Sequence, residues 1–251
     1  FTTYFSESVL ARTHYFVRVN DSNIEFNVKE IEQNLIEAAR TWEDKLTSAL
    51  VGSFGELRGR ELCTKYVNAF PRSYKEEMLP SDALVDIAKI EALSEDHPLE
   101  MLFYRPQEEH ADSKAVRLNL FHKDHPIHLS DVLPMLENFG LRVIGETPYA
   151  VRCPEGSVSW VLNFSMELNG KVPLDFEVAQ QLFQESFAKV WKGDLEDDGF
   201  NRLILGAGLT GREASLLRAF AKYKRQIGGT FSQAYIESTF GRYPLLANLL
   251  V

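Results

Sequence analysis

The chain has 251 residues, 45% of them hydrophobic and 25% charged, with a net charge of −9. That is long enough for one large domain or two small ones with a sizeable core, and too acidic for a general nucleic-acid role without a strong local basic patch. The two cysteines, Cys63 and Cys153, lie far apart and form no C-x-x-C pair, which excludes a disulfide framework and a zinc finger and fits a reducing compartment.

No apolar run approaches the length of a membrane span, and the first residues carry no signal-peptide pattern. The chain opens FTTYFSESVLARTHYFVRV, without Met and already strand-like. It reads as a piece of a longer protein.

Residues 1–6 and 12–19 are rich in Phe, Tyr, Val and Thr around Ser-Glu-Ser, the pattern of a hairpin, and residues 20–22 mark a turn. Val28, Ile31, Leu35, Ala38, Trp42, Leu46 and Leu50 then recur at three- and four-residue steps, which predicts one long amphipathic helix ending at Gly52 or Gly55. Asn27 can cap it, with Glu30 three residues on. A second helix is expected from Glu56 to Phe70, before Pro71. A third, DALVDIAKIEAL, is expected behind a Ser81 cap.

LEMLFYRP (99–106) and AVRLNLFH (115–122) read as strands joined by a charged loop. A short helix capped by Ser130 follows, with Val132, Leu133, Leu136 and Phe139 on its apolar face, Pro134 in its first turn and Gly140 at its end. Residues 141–151 and 157–168 are two more strands around a Pro-Glu-Gly turn. The order strand–helix–strand–strand over 115–168 opens a split βαβ, ferredoxin-like unit. After Asn169-Gly170 the pattern is helical, with an acidic break at 194–199 and a further helix from about Phe200.

LILGAGLTG (203–211) matches G-x-G-x-x-G, so Gly206, Gly208 and Gly211 raise the reading of a freestanding dinucleotide-binding enzyme. That reading needs a buried strand before the glycines and an acidic residue some 20 positions on. Only Leu203–Leu205 could supply the strand, and position 231 is Phe. Phe200, Leu203, Ile204, Ala207, Gly211, Ala214, Leu217 and Ala221 instead share a helical face, with a kink or break near 206–211. The helical reading is preferred.

His122, His125 and His128 sit three apart, with Asp124 or Asp131 as a fourth ligand for zinc. The spacing straddles Pro126 and matches no established ligand set, so a polar strand–helix loop is preferred and no metal site is assigned. Arg212, Arg218, Lys222, Lys224 and Arg225 form a basic helix, read as a solvated face, with docking onto an acidic surface in a missing part of the same parent chain as the sharper alternative. Glu196, Asp197 and Asp198 read as a capping turn rather than an ion site. No residues here assemble a catalytic centre.

Several stretches together carry a family resemblance: SESVLARTHYFVRV, AARTWEDKL, NAFPRSYKEE, LFYRP, PIHLSDVLPMLENFGLRVIGETPYAV, DGFNRLILGAGLTGREASLLRAFAKYKRQIG and FSQAYIESTF. In this order the chain resembles the N-terminal, non-catalytic half of the very large bacterial NAD-specific glutamate dehydrogenases. The resemblance implies an α+β fold: ferredoxin-like, ACT-like βαββ modules with helical connectors and a helical C-terminal segment. It divides the chain into the tail of one ACT-like module (1–55), a helical connector (56–95), a second ACT-like module (96–170) and a helical segment (171–251).

It further implies a regulatory and assembly role, cytoplasmic and homo-oligomeric, with the catalytic domain of the same chain beyond Val251 as partner and an amino acid as effector. The parent reaction would be oxidative deamination of glutamate to 2-oxoglutarate with NAD. No catalytic or cofactor-binding residue is carried over, and neither nucleic acid nor membrane is a partner. ACT modules bind amino acids near a glycine in the strand–helix loop. Here that loop is HKDHPIHLSD, which has none, and Lys123, Asp124, His125 and Asp131 are its effector-binding candidates.

Overall fold

The computed structural model describes residues 2–4, 12–14, 27–106, 113–170 and 175–251. They fall into two compact units, Phe1–Thr41 and Trp42–Val251.

In the first unit, β1 (Thr2–Tyr4) pairs antiparallel with β2 (Arg12–His14), Thr3 opposite Thr13. The remaining residues of the expected hairpin and its turns lie outside the described residues. Helix α1 (Val28–Ala39) starts as its sequence predicts: Asn27 Oδ1 accepts from the Glu30 amide at 3.3 Å. It does not run on to Gly52. Arg40 is extended (φ −65°, ψ 131°), and α2 (Trp42–Phe54) begins afresh. Thr41 followed by Glu43 and Asp44 is itself a helix-start pattern, overlooked because the apolar period continues across it.

In the second unit, α2 packs on α3 (Glu56–Tyr66) and α5 (Pro80–Ala92). A Cβ on Gly59 would lie 2.6 Å from Val51 Cα, so α2 and α3 meet backbone to backbone. The helix expected to reach Phe70 ends at Tyr66. A separate short helix, α4 (Arg72–Glu77), begins directly after Pro71, which cannot continue a helix but can open one. Ser81 is inside α5 and not its cap; Pro80 takes the first position, and Asp82 Oδ2 accepts from the Leu79 amide at 3.1 Å.

The centre of this unit is a four-stranded antiparallel sheet in the order β3 (Leu99–Tyr104), β4 (Ala115–Lys123), β6 (Val158–Leu168), β5 (Leu141–Arg152). Strand β4, helix α6 (Leu129–Asn138), β5, β6 and α7 (Phe176–Lys192) follow the split βαβ order. The free edge of β4, where that fold places a closing strand after α7, is filled by β3, which precedes β4 in the chain. Helix α6 starts at Leu129 with His128 before it, so Ser130 is not its cap. Pro134 sits in the helix interior and not in its first turn. The carbonyl that loses its donor there is that of exposed Ser130, which water can reach.

Period-2 alternation splits the sheet between two helical layers. Phe103, Leu118, Leu120, Leu162, Phe164 and Met166 face α6 and α7; Phe121 and Val161 face the α2–α5 layer. Strand β5 serves both. Leu141 and Val143 belong to the α6–α7 side and Tyr149 and Val151 to the other, although all four are odd-numbered. A β-bulge between Val143 and Gly145 inserts one residue and turns every later side chain to the opposite face.

Beyond α7, Gly193 stops the helix at φ +80°. A 3-10 turn (Gly199–Asn201) leads to α8 (Arg202–Ala207), α9 (Gly211–Gln226), α10 (Gln233–Arg242) and α11 (Pro244–Leu250). They gather around Phe200, Leu203, Leu209, Leu217, Ala221 and Ala247. Among the described residues no helix is long and apolar enough to cross a membrane.

Candidate functional site

The β4–α6 loop brings three of the four effector candidates side by side. Lys123 ends β4, Asp124 and His125 follow, and Asp131 stands in the first turn of α6, all four exposed. The Asp124 amide donates to Val158 O at 2.8 Å, and the His125 amide donates back to Lys123 O at 2.8 Å, closing a γ-turn around Asp124 at φ +66°. That is the strained hand of the γ-turn, and Asp tolerates it better than most residues. Asp124 thus supplies the left-handed backbone for which a glycine would be the default, which is how a loop without glycine makes the turn. Ile127 is buried in the core between the two halves of the loop and holds it down. No side chain caps α6, and the Asp131 amide in its first turn donates to His128 O at 3.1 Å. Chemically the loop offers the Lys123 ammonium and the His125 imidazole to a carboxylate, and Asp124 and Asp131 to an ammonium group.

The three histidines do not converge. His122 Nδ1 lies 2.9 Å from His125 O, and among the described residues no group of three or more His, Cys, Asp or Glu is placed to hold a metal ion.

Two features of the second unit escaped the sequence reading. The first is a polar chain buried between α4, α5 and the sheet. Tyr74 donates its hydroxyl to Asp86 Oδ2 at 2.7 Å, Asn119 donates to Asp86 Oδ1 at 3.2 Å, and Asn163 donates to Asn119 Oδ1 at 2.8 Å. Asp86 is 2% exposed. Burial pushes its carboxyl up from 3.8 to about 6, against the two hydrogen bonds that favour the charged form, and nearby Asp82 adds to the rise. The signal was present: Ala83, Asp86, Ile87 and Ile90 share the buried stripe of α5, and a carboxylate on such a stripe needs a partner.

The second is a groove of about 710 Å³ along the outer edge of β3, between α5 and α7, with Met101 and Trp191 in its walls and Lys89, His97, Glu100 and Lys192 at its rim. Lys89 pairs with Glu100 at 3.0 Å. Gln184 Oε1 accepts from the Phe103 amide at 3.0 Å and so closes one end of the strand's free edge.

GAGLTG is a helix–turn–helix joint. Gly206 is in α8, Gly208 ends that helix in the left-handed region (φ +70°), and Thr210 begins α9 with a reciprocal capping box to Glu213. Gly211 opens α9 against α7, where a Cβ would come within 3.2 Å of Ser186 Oγ. The preceding residues are helical and not a strand, so the phosphate-turn reading fails on geometry.

The basic helix is not wholly a solvated face. Arg218 is 3% exposed and makes a bidentate pair with Asp198, Nε–Oδ2 2.7 Å and Nη2–Oδ1 2.9 Å, while Lys222 reaches Glu196 at 2.7 Å. Asp198 also caps the 3-10 turn through the Phe200 amide at 3.0 Å, as the acidic stretch predicts.

Comparison with known proteins gives one consistent answer. Four family models match in sequence: the glutamate dehydrogenase ACT2 domain over residues 1–43, helical motif 2 over 49–93, the ACT3 domain over 98–179 and helical motif 3 over 195–251. The chain is 42% identical to an NAD-specific glutamate dehydrogenase of Halomonas elongata over 252 residues, 38% to one of Pseudomonas aeruginosa over 252, and 35% to one of Mycobacterium tuberculosis over 271. Each alignment covers 100% of this chain but only 15–16% of the relative.

Proposed function

Because this chain belongs to the large NAD-specific glutamate dehydrogenases and spans about 15% of the length of the relatives it matches, we propose that it is a regulatory and assembly region of such an enzyme. The reaction of the whole protein is then oxidative deamination of glutamate with NAD, carried out by a catalytic domain elsewhere in the chain. NAD binds there and not in these residues, and the whole is a cytoplasmic homo-oligomer.

The observation that carries this reading is the β3-β4-β6-β5 sheet with α6 and α7 on one face, which coincides with the ACT3 match and has helical-motif matches on either side. The helical joint at Gly206–Gly211 supports it by removing the rival nucleotide turn. The working division is 1–55, 56–95, 96–170 and 171–251; the packing of α2 on α3 and α5 favours moving the first boundary back to Thr41. Lys123, Asp124, His125 and Asp131 are the residues proposed to meet an amino-acid effector, because they are exposed along the β4–α6 loop and the first turn of α6.

A ligand that binds only the folded state raises the unfolding temperature by mass action. Thermal unfolding of this region with NAD, NADH, glutamate, 2-oxoglutarate and a set of amino acids tests the reading. An amino acid that raises Tm in the wild type, but not in Lys123→Ala or Asp131→Ala, supports the effector site. A rise with NAD overturns the assignment of these residues as cofactor-free.

A further inference from the structure

On α9 the face opposite the buried Ala214, Leu217, Arg218 and Ala221 is itself apolar. Leu216, Phe220, Tyr223 and Ile227 follow one another at steps of four, three and four, so they form a single stripe, and they are 44%, 57%, 60% and 67% exposed. Phe231 and Tyr235 extend it. Their rings stack at 5.0 Å, and Lys224 Nζ lies 5.3 Å from the Phe231 ring, tying the pair to the last turn of α9.

A monomeric surface rarely carries a contiguous apolar patch of this kind without a partner, and aromatic side chains beside cations are the usual anchors of an interface. Of the five cations on α9, Arg218 and Lys222 are neutralised by Asp198 and Glu196. Arg212 and Lys224 border the stripe, are exposed and have no ion pair among the described residues. The one acid on the helix, Glu213, is held in the capping box.

We infer that this stripe is the seat of another part of the same long polypeptide, an acidic surface with its own apolar ridge lying outside the 251 residues. Two observations select that occupant over a second copy. The aligned relatives are more than six times longer than this chain, so the matching region is covered by, or adjoins, a large mass of further chain in them. A two-fold pairing of α9 with itself would set Arg212 and Lys224 against the same cations, and like charges across an interface are unfavourable. The inference rests on the proposal that the chain is a region of a glutamate dehydrogenase.

The test is hydroxyl-radical footprinting of the full-length protein and of this region alone at low concentration, with NAD-dependent glutamate oxidation measured on the same full-length sample. Phe220, Tyr223 and Tyr235 should react several-fold more slowly in the full-length protein. Ile227→Asp, at a residue 67% exposed in the region alone, should restore their reactivity in the full-length protein and change the Tm of the region little. Equal reactivity in both samples overturns the inference even if glutamate is oxidised. Protection that appears in the region alone as its concentration rises overturns it in favour of a second copy. Absence of glutamate oxidation counts against the functional proposal and leaves the footprint to be judged by itself.

Discussion

On the α6–α7 side of the sheet the packed groups are hydrocarbon. Phe183 is fully buried, with its ring 4.4 Å from Phe103, 5.1 Å from Phe139 and 5.5 Å from Phe187. On the α2–α5 side the same strands present Asn119 and Asn163 directly opposite each other, and the helices answer with Asp86 and Tyr74. Further out on that side, Tyr149 donates to Glu77 at 2.6 Å, and Glu91 receives both Tyr66 and Lys65. One layer is held by area, which is non-directional; the other adds polar groups that are satisfied in only one placement of α4 and α5. The first should resist pH and yield to cavities, and the second should answer to pH and to single hydrogen bonds.

The largest expected effect is on the apolar side. Phe183→Ala should destabilise the fold by about 3–5 kcal/mol, with little dependence on pH between 5 and 8, as read by urea denaturation. A strong pH dependence of that loss would break the contrast between the layers.

The polar side should respond through Asp86. Its carboxyl is raised in the folded state, so its contribution is fully present below the unfolded value near 3.8 and is lost as pH rises through about 6. Wild-type stability should therefore fall by up to about 3 kcal/mol across that window from this group alone. Asp86→Asn should flatten the profile. Tyr74→Phe, which removes one of the two donors to the carboxylate, should cost more at pH 8 than at pH 5. The neighbouring charge that shapes this titration is Asp82 on α5, which adds to the rise. Parallel pH profiles for wild type and Asp86→Asn would remove the titrating role.

Gly59→Ala tests the close approach of α2 and α3. Three backbone atoms lie within 3.0 Å of the added Cβ, so helix propensity should be overruled and about 2 kcal/mol lost. The smallest effect is expected at the sheet end, where Asp124→Gly relieves the positive φ and should stabilise by about 0.5 kcal/mol in thermal unfolding. A loss there would mean that the carboxylate has a partner in the fold.

Much of the second unit was legible beforehand. Strands β3 to β6, helix α7, Gly140 as a helix stop and Asp198 as a cap all follow from local periodicity and local hydrogen-bond chemistry, which act over a few residues. The misplaced boundaries share one cause. Trp42, Leu46 and Leu50 keep the period of α1, and Gly211 keeps that of α8, so periodicity alone carries a helix across Arg40 and across Gly208, where only the backbone turns. The effector candidates were read from the strand–helix loop itself, and the positive φ at Asp124 that shapes this loop needed the fold.

The sequence by itself determined the family, the α+β class and the strand–helix–strand–strand order, because these are written in motif strings and in periods of 2 and 3.6. Only the tertiary structure decided that β3 fills the free edge of β4, that a one-residue bulge in β5 divides its side chains between two layers, and that Asp86 and Arg218 are buried. The reason is physical. Which edge a strand takes, and whether a charged side chain meets water or a partner, depends on residues tens of positions away, such as Asn119 for Asp86 and Asp198 for Arg218.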